Sequence, residues 1–340
     1  MKREENYPID FVIPWVDGAD PEWRTQRNYY ASQEGVPSVI DNSETRFRDW
    51  DTIKYLFRSI EINAPWVRKV HFITCGHLPS WMNTEAKKLN IVKHTDYIPK
   101  QYLPTFSANT IELNLHRIKG LAEHFVYFND DILILQPTKR TDYFKNGLPR
   151  EYAILNVISS SHRGSIMDTA LTDVEIINSY FKKNEIMKRN FTKWFTPVYG
   201  RNLMRTFLLM PWPIFTNLYG THTSNPFLKS TYKTLWEKET DILDTSSMHK
   251  FRTRRDVNQW LMRYWQICEG KFVPKSPSTG KMMVIKNDNS DIERVLAGKR
   301  YKEICINDNG AEKIVDFDRT YDELEQMLEL AFPKKSSFEK

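Results

Sequence analysis

Apolar residues in this chain fall into short runs separated by polar stretches. Ile9-Asp-Phe-Val-Ile-Pro-Trp15, Val70-His-Phe-Ile-Thr74, Ile91-Val-Lys-His94 and Phe125-Val-Tyr-Phe128 are each only a few residues long and rich in β-branched and aromatic side chains. Runs of that length and content predict buried strands. Between them, Ile53, Leu56, Phe57 and Ile60 recur at helical spacing behind Asp51, which is placed to cap a helix. A further helix is predicted from about Ser107 to Lys119. Alternating strands and helices predict a mostly parallel central sheet with helices on its faces.

The pattern changes after Pro149. Ala153 to Ile158 reads as one more strand, and Thr172 to Met210 carries Val174, Ile177, Tyr180 and Phe181 at helical spacing. Later elements are a helix over Asp256–Cys268, short strands at Val284–Lys286 and Glu303–Ile306, and an amphipathic helix from Tyr321 to Phe332. The expected organisation is an α/β part over 1–158, a helical insertion over 159–220, and a stretch over 221–340 completing the same catalytic domain. No element is predicted in the polar segment leading to Asn42, and composition alone marks 334–340 as disordered.

The central run carries the first candidate chemistry. Phe125–Phe128 runs into Asn129-Asp130-Asp131, and Ile132–Leu135 follows. An unpaired carboxylate inside such a core costs several kcal/mol. The strand is therefore expected to end at Asn129, with the aspartates at its carboxyl end, where open α/β sheets bind ligands. Asn307-Asp308-Asn309 repeats the arrangement after a second apolar run, and oxygen-rich clusters of this kind suit Mg²⁺ or Mn²⁺. An ordinary turn fits each cluster as well.

Other motifs narrow the choice. The turn Val16-Asp17-Gly18-Ala19-Asp20-Pro21 follows the first strand, without GxGxxG or a P-loop. His222 lies in a polar loop. Arg252, Arg254 and Arg255 stand before a helix, where cations oppose the helix dipole unless an anion is present. Arg46 and Arg48 pose the same question before an earlier helix. GxSxG and HExxH are absent, so acyl transfer and zinc hydrolysis have nothing specific behind them.

Composition adds limits. A net charge of +6 suits an anionic ligand or membrane face, but the cations are dispersed, which argues against nucleic acid. No apolar run approaches the roughly 20 residues needed to cross a bilayer. The three cysteines are far apart, and Met1–Pro8 has no apolar signal core. Both features point to a reducing, cytoplasmic setting, with peripheral association at the inner face of the membrane compatible with the charge.

The chain resembles the Stealth family of sugar-phosphate transferases. The similarity runs through Ile9–Pro21, then Arg46-Phe-Arg-Asp49 with Ala64–Val67, Leu103–Phe106 and Tyr127–Asp131, then His222 with Phe251–Val257, and finally Ile304–Asp308 with Phe332–Glu339. It implies a Rossmann- or GT-A-like nucleotide-sugar transferase fold in which the tail is part of the pattern. The implied reaction transfers a sugar 1-phosphate from a nucleotide diphosphate sugar to a glycan hydroxyl. By the resemblance, Asp131 sits at the reacting centre as metal ligand or base, supported by Asp130 and Asn129. His222 takes the acceptor proton and Arg252 neutralises the diphosphate. Asn307 and Asp308 complete a metal site, Asp17 and Gly18 contact the nucleotide, and Arg46, Arg48 and Arg255 assist substrate binding. Within the same fold, a glycosyltransferase releasing a nucleoside diphosphate is the rival reading. A non-catalytic nucleotide- or glycan-binding module is the other.

Overall fold

The computed structural model describes residues 7–35, 49–160, 165–308, 310 and 312–340. Strands β1 (Ile9–Pro14), β2 (Val70–Thr74), β3 (Leu89–Lys93) and β4 (His124–Tyr127) form a parallel sheet in the order β3-β2-β1-β4. Strand β5 (Ile132–Ile134) begins a second sheet, and β6 (Asn225–Leu228) closes the first as its antiparallel edge beside β4. Strands β7 (Gly280–Val284) and β8 (Glu303–Asn307) complete the second sheet, in the order β7-β8-β5. Residues from the last third of the chain thus pair with strands from the first, across both sheets.

The predicted strands form because helices cover both faces of the main sheet. Phe11, Val12, Ile13, Phe72, Phe125 and Val126 are all fully buried, so their runs are continuously apolar rather than alternating. Chain order along the sheet reverses between β1 and β4. Such a switch point opens a crevice at the carboxyl ends of the strands, and here those ends lead into Trp15 and Asn129.

The helices are α1 (Pro21–Glu34), α2 (Thr52–Asn63), α3 (Ala108–Leu113), α4 (Met167–Tyr180), α5 (Leu203–Leu209), α6 (Lys229–Lys238), α7 (Gln259–Cys268) and α8 (Phe317–Ala331), with shorter turns between them. Helix α1 was not predicted. It buries only Trp23, so it has no apolar stripe, and it is set by Asp20 accepting from the Trp23 amide at 2.7 Å with Pro21 in its first turn.

Three local expectations are corrected. Asp51 stands before α2, but its backbone is left-handed and its side chain caps nothing. The helix expected to run to Lys119 stops at Leu113, where the Asn114 side chain donates to the Thr110 carbonyl at 2.9 Å; a single 3-10 turn follows. Residues 153–158 make one bridge, Leu155 to Leu218, instead of a strand. There the Tyr199 and Thr206 hydroxyls accept from the amides of Ala153 and Leu155.

The tail is ordered, against its composition and in line with the resemblance. Phe338 is buried, and Glu339 pairs with the buried Arg58 at 2.9 Å. All three cysteines are free thiols. No helix among the described residues is long and apolar enough to cross a membrane.

Candidate active site

A cleft of about 660 Å³ opens at the switch point. Asn129, Asp130, Asp131, His222, Arg252 and the pair Asn307–Asp308 all line it. Residues separated by up to 179 positions in sequence therefore share one concavity, and each arrives by a separate route.

Asp131 sits in the link between β4 and β5, and its carbonyl accepts from the Ile306 amide at 2.8 Å, stitching it to β8. Its Oδ2 accepts from Asn307 Nδ2 at 2.8 Å and from the Cys305 thiol at 3.2 Å. Oδ1 is shielded from solvent and has no hydrogen-bond partner among the described residues. A buried charged oxygen left in that state costs a few kcal/mol, so it is primed for a cation or a proton.

Negative charge is concentrated around it. Asp130 is held well above the ordinary carboxyl range, by burial first and then by the charges of Asp131 and Asp49. Burial also raises Asp49, whose carboxylate accepts from the Trp15 indole at 3.3 Å and the Asp51 amide at 2.7 Å. Asp51 is pushed up to about 6 by burial and by Asp49. Asp308 accepts from the Trp50 indole at 3.1 Å and from the Gly310 amide at 3.2 Å.

His222 is exposed and has a left-handed backbone, with φ of 53°. Non-glycine residues hold that conformation only when the surroundings enforce it. The neighbours do so here. The Thr221 amide donates to the Tyr152 hydroxyl at 3.0 Å, the Thr221 and Thr223 hydroxyls meet at 2.8 Å, and Ser224 Oγ donates to buried Glu303 at 2.7 Å. Tyr152 in turn rests against Arg263, which forms a buried ion pair with Glu151 at 2.7 Å. This clamp brings His222 Nε2 to 3.5 Å from Asn129 Nδ2.

Arg252 comes from the loop before α7. Asp256, wholly buried, fastens that loop by accepting from the Thr253 amide, the Thr253 hydroxyl and His249 Nδ1, each at 2.7 Å. Arg252 carries its charge toward buried Glu112, whose carboxyl is raised by burial and accepts from the Tyr127 hydroxyl at 2.8 Å.

The metal expectation meets a suitable but altered donor set. Ligand atoms of Asp131, His222 and Cys305 lie within 4.8 Å of one another, whereas Asp308 is not in that group. Cys305 is buried and its thiol is pushed far up, by burial first and then by Asp131. As a neutral thiol it donates to Asp131 rather than offering a thiolate. The group left for a hard cation is the free Asp131 oxygen with the imidazole, a set that Mn²⁺ and Mg²⁺ accept when phosphate and water complete the shell.

The remaining expected residues sit differently. Asp17 and Gly18 lie behind the cleft lining: the Asp17 amide donates to His77 Nε2 at 2.7 Å, its carboxylate closes the turn on the Ala19 amide, and the Gly18 carbonyl accepts from Arg24. Arg255 is exposed and outside the lining, and Arg254 pairs with Asp168 at 3.5 Å. Arg46 and Arg48 lie outside the described residues. Sequence reasoning did not single out Asp49, Trp50, Tyr152 or Cys305. For Asp49 the signal was its place in Arg46-Phe-Arg-Asp49, and the others have none.

Comparison with known proteins fixes the lineage. Residues 7–35 match the model of Stealth protein conserved region 1, and 46–151 that of conserved region 2. The chain is 42% identical to the capsular polysaccharide phosphotransferase WcwK of Streptococcus pneumoniae, over the whole of both chains. The chain belongs to the Stealth family. Other relatives include the receptor polysaccharide phosphotransferase WefC of Streptococcus oralis, 38% identical over 97% of this chain and 99% of that one. The exopolysaccharide phosphotransferase cps2G of Lactiplantibacillus plantarum is 34% identical over 98% and 97%. Among solved structures, that of the galactosyltransferase LgtC covers 96% of each chain at 9% identity with a TM-score of 0.42. As a Stealth-family member, the protein is an enzyme of the transferase class.

Proposed function

We propose that the enzyme transfers a hexose or N-acetylhexosamine 1-phosphate from a UDP-linked sugar to a hydroxyl of a glycan acceptor, in the synthesis of a capsular or other surface polysaccharide. The acceptor oxygen attacks the phosphorus that carries the sugar. A new oxygen–phosphorus bond forms, the bridge to the nucleoside phosphate breaks, and nucleoside monophosphate leaves.

The observation that carries this reading is the convergence of Asp131, His222, Arg252 and Asn307 on one cleft. Phosphoryl transfer needs in-line positioning and neutralised phosphate charge more than covalent help. His222, beside Asn129, takes the acceptor proton. Arg252 supplies a guanidinium for the diphosphate. Asp131 and His222, with Asp308 on the cleft wall, would hold Mg²⁺ or Mn²⁺, whose chemistry is to offset the phosphate and carboxylate charge together.

Incubation of the enzyme with UDP-N-acetylhexosamine and a glycan acceptor tests the reading through its products. Nucleoside monophosphate and a phosphodiester are expected. Nucleoside diphosphate would instead mean attack at the anomeric carbon. Asp131→Asn is expected to lower turnover by about a thousandfold or more with folding kept; unchanged function would favour a non-catalytic binding module.

A further inference from the structure

The helical insertion presents an inverted helix. In α5, polar Thr206 is buried while Met204, Phe207 and Leu208 face solvent. Spacings of three and four put those apolar side chains on one face, and Met210, Trp212 and Ile214 continue the exposure beyond the helix. Eight of the seventeen exposed large apolar side chains among the described residues fall within 191–214. They are joined by rings: Phe191 meets Phe195 at 4.7 Å, and Phe195 meets Phe207 at 5.6 Å. A continuous apolar surface of this kind marks an interaction site.

Its charge selects the partner. Residues 186–236 contain no acidic residue. Lys188, Arg189 and Arg201 are exposed beside the apolar surface and form no ion pair among the described residues. Two other cations are committed inward, buried Lys183 to the carbonyls of Leu209 and Met210, and Arg205 to Asn156 Oδ1 at 2.9 Å. Exposed aromatic and aliphatic side chains rimmed by uncompensated cations match an anionic bilayer interface, where apolar groups insert and each cation gains from the surface potential.

We propose that α5 and the flanking residues 191–214 dock the enzyme on an anionic lipid membrane. Arg205 ties α5 to Asn156, a cleft-lining residue. On the function proposed above, docking therefore sets the cleft wall beside the bilayer, suited to an acceptor glycan held on a lipid.

Flotation of the full chain with vesicles tests the docking without any substrate, so its outcome is separate from that of the product assay. Capture by phosphatidylcholine vesicles containing phosphatidylglycerol is expected, with affinity for phosphatidylcholine alone about a hundredfold lower. The double variant Leu208→Glu/Trp212→Glu should lose capture. The triple variant Lys188→Gln/Arg189→Gln/Arg201→Gln should lose the preference for phosphatidylglycerol. Both alter exposed side chains, and unchanged thermal unfolding with unchanged product release from soluble substrates would show them folded. The proposal is overturned if the parent chain stays with the unbound fraction, or if the double variant floats as well as the parent. It is equally overturned if light scattering finds a dimer that the double variant splits while vesicles capture neither, since the surface then joins two copies.

Discussion

Asn307 Nδ2 donates to Asp131 Oδ2 across 2.8 Å, joining residues 176 positions apart in sequence. The bond aims one carboxylate oxygen at β8 and leaves the other without a partner among the described residues. Asn307→Ala should leave that charge less well held and lower turnover by about 10–100-fold, equivalent to the roughly 1–3 kcal/mol of a hydrogen bond to a charged group. Steady-state rates of nucleoside monophosphate release would check this, with a melting curve to show an intact fold. Asn307→Asp should be worse, because it adds a like charge at the same place.

Metal removal is expected to stop transfer. Asp49, Asp130, Asp131 and Asp308 crowd one cleft that must also accept a diphosphate, and Arg252 alone does not balance that charge. Turnover should vanish after chelation and return with Mn²⁺ or Mg²⁺. Calorimetric titration of Mn²⁺ should show binding that Asp131→Asn abolishes. Full activity in excess chelator would remove the metal from the proposal.

The loop carrying Arg252 should respond to pH. The hydrogen bond to Asp256 raises the pKa of His249 above its ordinary 6.5, outweighing the effect of burial. A raised histidine gives its stabilisation in full below pH 6.5 and loses it as pH climbs through the folded value. The melting temperature should therefore fall over that window, and His249→Asn should flatten the change. Asp256→Asn should also raise KM for the donor, since the loop then loses its fastening.

Glu339 gives the opposite slope. Burial alone would raise its pKa, but the hydrogen bonds from Arg58 and Ser336 prevail and lower it below 4.5. Its contribution is complete above pH 4.5 and is lost as pH falls through the folded value. Both side chains of the Arg58–Glu339 pair are only 4% exposed. Breaking it with Glu339→Gln should cost about 3–5 kcal/mol, read as a shifted urea midpoint with a shallower acid limb.

Strands were the most legible part of this chain. Parallel strands buried on both faces leave unbroken apolar runs, so β1, β2 and β4 could be read directly, and the Asn-Asp-Asp at the end of β4 followed from the cost of burying charge. Helix α1 was hidden because one buried tryptophan makes no periodicity. The boundary at Leu113 depended on a side-chain bond from Asn114 to the Thr110 carbonyl, and residues 153–158 on hydroxyls from a distant segment. The site divided in the same way. Asp131, His222, Arg252 and Asn307 have residue types that advertise chemistry. Tyr152 and Cys305 act through contacts that only the folded chain creates.

The pairing of Arg58 with Glu339 also bears on synthesis. Ribosomes deliver Arg58 early and Glu339 some 280 residues later, so helix α2 cannot complete its core until nearly all of the chain has emerged. A product broken off anywhere between the two keeps a guanidinium in apolar surroundings without its most buried counter-ion. Quality control would therefore meet truncated copies as unfinished molecules, even those already carrying every residue of the cleft.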